Sequence, residues 1–367
     1  MENKKHLFIC FSKYAILNSI NLLINNNIYN NKNSDLVVFH RTLDMKQLSK
    51  NLRNENIFRN IFDFPFINKK GTFYLLKLFL FPRYFLSKIS SNYFSKQITK
   101  QTYDVLISQN LLYASLFGRI NSDAEIFLIE DGLSSYTSRT INPIKRSIYF
   151  QIANKFIFKN SILSSIKKQF LYKPKMFFGD GKNVLKIPKI NSDSYHLYNK
   201  IFSYKKNVLY KSNKLVYLGV PFFGLKDLML NPNEATKNFE VKCNYILNEI
   251  TNISKKNKFI YRKHPIENID QLTCKNNFIF DRIENTWEIE CLNSISKQHI
   301  IVSFFSTASF TPKMLFDKEP YLIFLYKTLG IDFFNADKLV NDLKSLYKNP
   351  KKVILLEDIN MIKDIIR

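Results

Sequence analysis

HIIVSFFSTASFTPKMLF, His299 to Phe316, is the stretch whose reading decides the fold. Its first seven residues, His299 to Phe305, form a short apolar run rich in β-branched and aromatic side chains. That is the pattern of a strand buried on both faces. Ser306, Thr307 and Ser309 follow at once. These are helix-capping residue types, so the chain is expected to pass from strand directly into a helix over Ser306 to Phe316. A strand leaving into a helix is half of a βαβ unit, and βαβ units build parallel sheets.

The same rhythm extends outward in both directions. Upstream, Trp287 to Ile295 reads as a helix, Asn277 to Phe280 and Lys258 to Arg262 as strands, Asn238 to Ser254 as a striped helix, and Lys214 to Leu218 as a strand ending at Gly219. Downstream, Tyr321 to Tyr326 reads as a strand, with helices from Asn335 and Asp358. The first half has its own copy of the pattern. Strands are expected at His6 to Phe11, Asp35 to His40, Tyr103 to Ser108 and Glu125 to Ile129, with helices over Lys13 to Asn25 and Leu111 to Arg119. A basic, weakly patterned stretch, Pro188 to Ser212, separates the halves. With 367 residues the chain suits two domains, and the expected division is 1–195 and 196–367. The fold class is therefore α/β, with two Rossmann-like domains and a ligand cleft between them, beyond the carboxyl ends of the strands.

Composition narrows the function. Hydrophobic residues at 46% can fill two cores, which argues against disorder. The net charge of +25 asks for an anionic partner: nucleic acid, a membrane surface or a phosphorylated substrate. No nucleic-acid-binding module is recognisable, so nucleic acid is not expected as a partner. The segment Thr72 to Ile89, TFYLLKLFLFPRYFLSKI, mixes Leu, Phe and Tyr with Lys77, Arg83 and Lys88. It suits a membrane interface as well as a core helix broken near Pro82. No uninterrupted apolar run reaches about 18 residues and no signal peptide is visible, so the expected location is cytoplasmic. Cys10, Cys243, Cys274 and Cys291 form no CxxC pair and have no His at ligand spacing, so no metal site is expected, and Cys10 and Cys291 read as buried thiols. GxGxxG, GxxxxGK[ST] and GxSxG are all absent, which disfavours dinucleotide, P-loop and serine-hydrolase chemistry.

Three clusters stand where strands give way to loops. Glu130-Asp131-Gly132 follows the strand EIFLI. Adjacent carboxylates raise one another's pKa, and either can serve as a general base, although Asp-Gly is also an ordinary turn. Arg262-Lys263-His264-Pro265 ends the strand KFIYR. His264 can act on a phosphate, Arg262 and Lys263 attract one, and Pro265 fixes the backbone at the strand exit. Ser306 and Thr307 offer hydroxyls and backbone N–H groups at a helix start, a place that binds anions as readily as it caps the helix. On the helix WEIECL, Glu288 or Glu290 can accept from a ribose. The DxD pattern of metal-dependent transferases is absent, and Asn191-Ser192-Asp193 is a near miss.

The order EDG, then KHP, then SFFSTAS resembles bacterial sialyltransferases of the GT-B class, a group that includes the lipooligosaccharide sialyltransferases and the capsular polysialyltransferases. The lipooligosaccharide group is the nearer one, and the resemblance spans nearly the whole chain. Those families carry an acidic E/D-D/E-G motif in the N-terminal domain, then His-Pro, then Ser-Ser/Thr. Here these are Glu130-Asp131-Gly132, His264-Pro265 and Ser306-Thr307. The resemblance implies a donor of CMP-N-acetylneuraminic acid or a related CMP-nonulosonic acid, and inversion without a metal or other cofactor. His264 would protonate or hydrogen-bond the CMP phosphate, with Ser306 and Thr307 on the same phosphate and Glu290 on the ribose. The base would be Glu130 or Asp131, with Asp227 an outside candidate. The acceptor would be a surface glycan, lipid-linked, at an anionic inner membrane. A CMP-Kdo, CMP-legionaminic, CMP-pseudaminic or UDP-hexose donor is the alternative, as is a non-catalytic assembly scaffold. Homodimerisation is left open.

Overall fold

The computed structural model describes residues 4–25, 31–40, 43–65, 98–118, 120–136, 166–179, 183–220, 239–254, 258–265, 267, 272, 275–283, 285–330 and 335–366. The chain divides into two compact units, Met1–Ser203 and Tyr204–Arg367. Each is built on one parallel sheet.

In the first unit the order along the chain is β1 (His6–Cys10), α1 (Lys13–Asn25), β2 (Ser34–His40), α2 (Leu43–Asn54), β3 (Ile61–Pro65), β4 (Val105–Ser108), α3 (Leu111–Gly118), β5 (Glu125–Ile129), β6 (Ile166–Leu171), β7 (Val184–Lys186) and α4 (Tyr195–Ile201). The strands lie in the order β3-β2-β1-β4-β5-β6-β7, every neighbouring pair parallel. Strand order reverses between β1 and β4, which places a switch point at their exits. β1 and β4 are buried along their whole length, as their unbroken apolar runs require. At the β1 exit Phe11 stacks on Phe39 at 4.5 Å between ring centroids and lies 3.9 Å from Tyr113, so the edge of the sheet is floored with rings. At the opposite end, buried Asp35 accepts from Arg59 at 2.9 and 2.6 Å, from Tyr103 Oη at 2.8 Å and from the Asn60 N–H at 3.1 Å. A buried carboxylate needs this many partners.

The second unit contains β8 (Leu215–Leu218), α5 (Phe239–Ile253), β9 (Ile260–Arg262), β10 (Ile279–Phe280), α6 (Trp287–Asn293), β11 (Ile300–Ser303), α7 (Thr311–Phe316), β12 (Tyr321–Phe324), α8 (Ala336–Leu346) and β13 (Val353–Leu355). Its sheet runs β10-β9-β8-β11-β12-β13, again wholly parallel, with the reversal between β8 and β11. Lys318 closes the C-terminal end of α6. Its Nζ donates to the carbonyls of Cys291 and Leu292 in the last turn and of Ile295 just beyond it, at 2.8, 2.7 and 2.9 Å.

The units meet in sequence at Ser203 and Tyr204, inside the basic stretch of the sequence, and α4 belongs to the first unit. Asn51 of α2 holds it there, donating to the Ile201 carbonyl at 2.7 Å and to Ser203 Oγ at 2.8 Å. A cut at 195/196 would separate α4 from these partners. The Phe-rich segment 72–89 and Asp227 lie outside the described residues.

Candidate functional site

At the exit of β5 the two adjacent carboxylates have opposite environments. Glu130 points inward and is 2% exposed. One carboxylate oxygen accepts from Tyr14 Oη at 2.7 Å. The other accepts from Tyr136 Oη and from the Tyr172 N–H, the latter at 2.9 Å. Burial pushes its pKa up to about 7, and these three donors oppose the rise. The surrounding polar groups interlock: Tyr172 Oη donates to Asn18 Oδ1 at 2.8 Å, and Asn18 Nδ2 donates to the Glu130 carbonyl at 3.0 Å.

Asp131 is exposed. Gly132, at φ 88°, provides the left-handed turn that carries the chain away after it, and the Asp131 N–H donates to Ser135 Oγ at 2.8 Å. Its carboxylate stands 3.5 Å from Ser12 Oγ, and that hydroxyl donates to Gln109 Oε1 at 3.2 Å. Ser12 follows β1, Gln109 follows β4 and Asp131 follows β5, so three strand exits converge at the switch point. Ser12 also caps α1 through the Ala15 N–H, at 3.1 Å. Of the expected pair, Asp131 is the carboxylate a ligand can reach.

In the second unit the exits of β9 and β11 flank the exit of β8. Lys263 and Pro265 are exposed and His264 is half-buried. Arg262 serves a different purpose from the phosphate attraction expected of it. Its Nη1 lies 2.5 Å from Asp281 Oδ2, and that carboxylate also accepts from Tyr210 Oη at 2.8 Å and Asn207 Nδ2 at 2.9 Å. The guanidinium thus ties β9 to the loop after β10 and to the first residues of the unit. Of the pair Arg262 and Lys263, Lys263 is the exposed cation.

Ser306 is 7% exposed and its Oγ accepts from the Ala308 N–H at 3.3 Å, capping the 3₁₀ turn Thr307–Ser309 that leads into α7. Thr307 is exposed. Ser303 Oγ pairs with Ser309 Oγ at 2.9 Å beneath the turn, and Trp287 Nε1 donates to the Ala308 carbonyl at 2.8 Å, which locks α6 against it. Glu290, expected at a ribose, is wholly buried. It accepts from Asn285 Nδ2 at 2.7 Å and from Ser294 Oγ, and burial raises its pKa. Glu288 is half-buried on the same helix.

Glu267 has no place in the sequence reading. It is 7% exposed and stands against Tyr261, His264 and Gly219 at the β8–β9 exit. Oε2 accepts from the His264 N–H at 3.0 Å, Oε1 accepts from Tyr261 Oη at 2.5 Å, and the Glu267 N–H donates to the His264 carbonyl at 3.0 Å. A Cβ on Gly219 would collide with this carboxylate. The signal available in the sequence was the spacing His264-Pro-x-Glu267 next to a strand ending in Gly219, and it carries no weight until the two strands are known to be neighbours.

Among the described residues, no group of three or more His, Cys, Asp or Glu is arranged to hold a metal ion, and no helix is long and apolar enough to cross a membrane. Asn191-Ser192-Asp193 is a capped turn in which the Asn191 side chain accepts from the Asp193 N–H at 3.3 Å.

No protein-family model matches the chain. No curated protein matches it either. Solved structures do. The chain is similar to MnaA of S. aureus in its complex with UDP, with 13% identity, a TM-score of 0.55 and coverage of 99% of this chain and 88% of that one. It is also similar to a UDP-N-acetylglucosamine 2-epimerase, with 12% identity, a TM-score of 0.50 and coverage of 99% and 94%. At such identity the likeness is one of fold. Together with the two parallel sheets it defines the class: two Rossmann-like domains of the GT-B type.

Proposed function

We propose that the chain is an inverting glycosyltransferase that moves sialic acid, or a related nonulosonic acid, from its CMP conjugate to a terminal sugar of a bacterial surface glycan, lipooligosaccharide or capsule. One observation carries the reading. The His264 loop and the Ser306-Thr307 turn stand on either side of the β8 exit, at the switch point of the second sheet. A single phosphate group fits this set: an imidazole, two hydroxyls and the exposed Lys263.

The chemistry assigned is a single displacement. Asp131 takes the proton from the acceptor hydroxyl, whose oxygen attacks the anomeric carbon. The bond from that carbon to the phosphate oxygen breaks, and its electron pair leaves with CMP. His264 donates a hydrogen bond or a proton to the departing phosphate, and Ser306, Thr307 and Lys263 stabilise its charge. Pro265 fixes the loop. Glu130 is too enclosed to meet an acceptor and acts by holding the turn that presents Asp131. The scheme calls for neither metal nor cofactor. The net charge of +25 supports work at an anionic cytoplasmic membrane surface on a lipid-linked acceptor. Flotation with anionic vesicles at low salt tests that part, and failure to float removes it.

The second reading is a UDP-sugar donor, favoured by the UDP bound to a structure of the same fold. Competition separates the two. In calorimetry the first reading expects CMP to bind more tightly than UDP, with CMP affinity reduced in His264→Ala. Preference for UDP moves the donor class, and loss of all nucleotide binding in a folded protein replaces catalysis with a scaffold role.

A further inference from the structure

We propose that Glu267 is the positioning residue of the donor site, and that Gly219 is glycine in order to admit it; this rests on the reading of the β8–β9 exit as the place where the donor phosphate binds. The observations are geometric. Past Arg262 the chain leaves the sheet, and among the described residues the β8–β9 ladder ends at Arg262, short of Lys263 and His264. Glu267 supplies what the ladder no longer does. Its carboxylate accepts the His264 N–H at 3.0 Å, while its own N–H returns a bond to the His264 carbonyl at 3.0 Å. Both backbone polar groups of the histidine are thus fixed by one residue. The second carboxylate oxygen is anchored on Tyr261 Oη at 2.5 Å, inside the buried strand β9. The Gly219 N–H donates to the Arg262 carbonyl at 2.9 Å, which brings β8 against the same turn. A side chain at Gly219 would occupy the position of the Glu267 carboxylate.

An anion buried beneath a phosphate site works against the ligand by charge, so its retention there needs a reason other than attraction. Register is that reason. A displacement of about 1 Å in a reacting group costs about 10²-fold in turnover. Glu267 fixes the one residue whose ring must meet the departing phosphate. Glutamine retains the essential bond, since Oε1 can accept the His264 N–H while Nε2 turns to Tyr261 Oη, which is able to accept. Alanine loses both contacts.

The experiment compares Glu267→Gln, Glu267→Ala and Gly219→Ala in the full chain. Turnover with CMP-N-acetylneuraminic acid, the affinity for CMP and UDP, and amide exchange at His264 are measured on each. Expected are near-native turnover in Glu267→Gln and a fall of about 10²-fold in Glu267→Ala. The fall lies mainly in kcat, with the His264 amide exchanging faster. Gly219→Ala is expected to be damaging in the native background and nearly neutral when combined with Glu267→Ala, which removes the collision. Equal losses in the Gln and Ala variants would overturn positioning in favour of a role for the charge. An unchanged His264 amide in Glu267→Ala would overturn it outright. Should the native protein bind neither nucleotide, the donor reading fails, and amide exchange with the Gly219 double variant still decides whether the clamp exists.

Discussion

Glu130→Gln is the substitution whose consequence can be worked furthest. The native carboxyl titrates at about 7 because burial disfavours its charged form, whereas in the unfolded chain it returns to the ordinary 4.5. Between those values the folded protein holds a proton that the unfolded chain has lost. The corresponding stability is fully present below 4.5 and is lost as pH rises through 7. The total is about 3 kcal/mol, of which about 2.5 kcal/mol falls between about pH 5 and about pH 8. A glutamine cannot ionise, so the variant does not lose this contribution. Buried His6 and His299 complicate the raw profile, because burial lowers both to about 4. They stay neutral in the fold while the unfolded chain takes up protons, so they remove stability as pH falls from 6.5 to 4. Both proteins share this effect, and it cancels in their difference. Urea unfolding of each protein at about pH 5 and about pH 8 gives that difference. The stability of Glu130→Gln relative to native is expected to rise by about 2.5 kcal/mol from the lower to the higher pH. A relative stability unchanged between the two pH values would refute the claim that this buried carboxyl titrates near neutrality.

Three further outcomes follow. Asp131→Asn keeps the shape of an exposed turn and removes the proton acceptor, so turnover should fall by about 10² to 10⁴-fold while CMP affinity and melting temperature stay near native, as read by initial rates, calorimetry and thermal denaturation. Lys318→Met removes three hydrogen bonds from the end of α6 and should cost about 2 kcal/mol in urea unfolding. Asp35→Asn strips the charge from under Arg59 and Tyr103 and should cost about 3 kcal/mol, with no change in nucleotide affinity, since this residue stands at the far edge of the sheet.

The strands buried on both faces were legible because their apolar runs are short, rich in β-branched and aromatic residues, and bounded by polar or turn residues. Glu125–Ile129 forms within the expected bounds, and α1 spans Lys13–Asn25 as its pattern requires. The strands that escaped notice are those at sheet margins. β6 carries Lys167 and Lys168, β3 carries Asp63 and ends in Pro65, and β7 and β13 are three residues each. Edge and half-exposed strands do not show the signal of a buried parallel strand. α2 has a charged outer face and low overall hydrophobicity, so its stripe of Met45, Leu48 and Leu52 is easily read as loop.

The site was legible in outline for a similar reason: acidic, imidazole and hydroxyl residues at strand exits are visible in one dimension. What the sequence left undecided depended on pairings across the fold. Nothing in the order Glu130-Asp131 tells which carboxylate turns inward, because the choice is made by Tyr136 together with Tyr14 and Tyr172, two residues distant in sequence. Arg262 looked like a phosphate ligand until Asp281 stood against it. Glu267 became visible only when β8 was seen to lie beside β9.

The most direct measurement is CMP release from CMP-N-acetylneuraminic acid, followed with and without a panel of galactose-terminated acceptors and with EDTA present. Expected is acceptor-dependent release that persists in EDTA, falls by about 10² to 10⁴-fold in Asp131→Asn and is strongly reduced in His264→Ala. Release that ignores both substitutions, or that occurs only with a UDP-sugar, would contradict it.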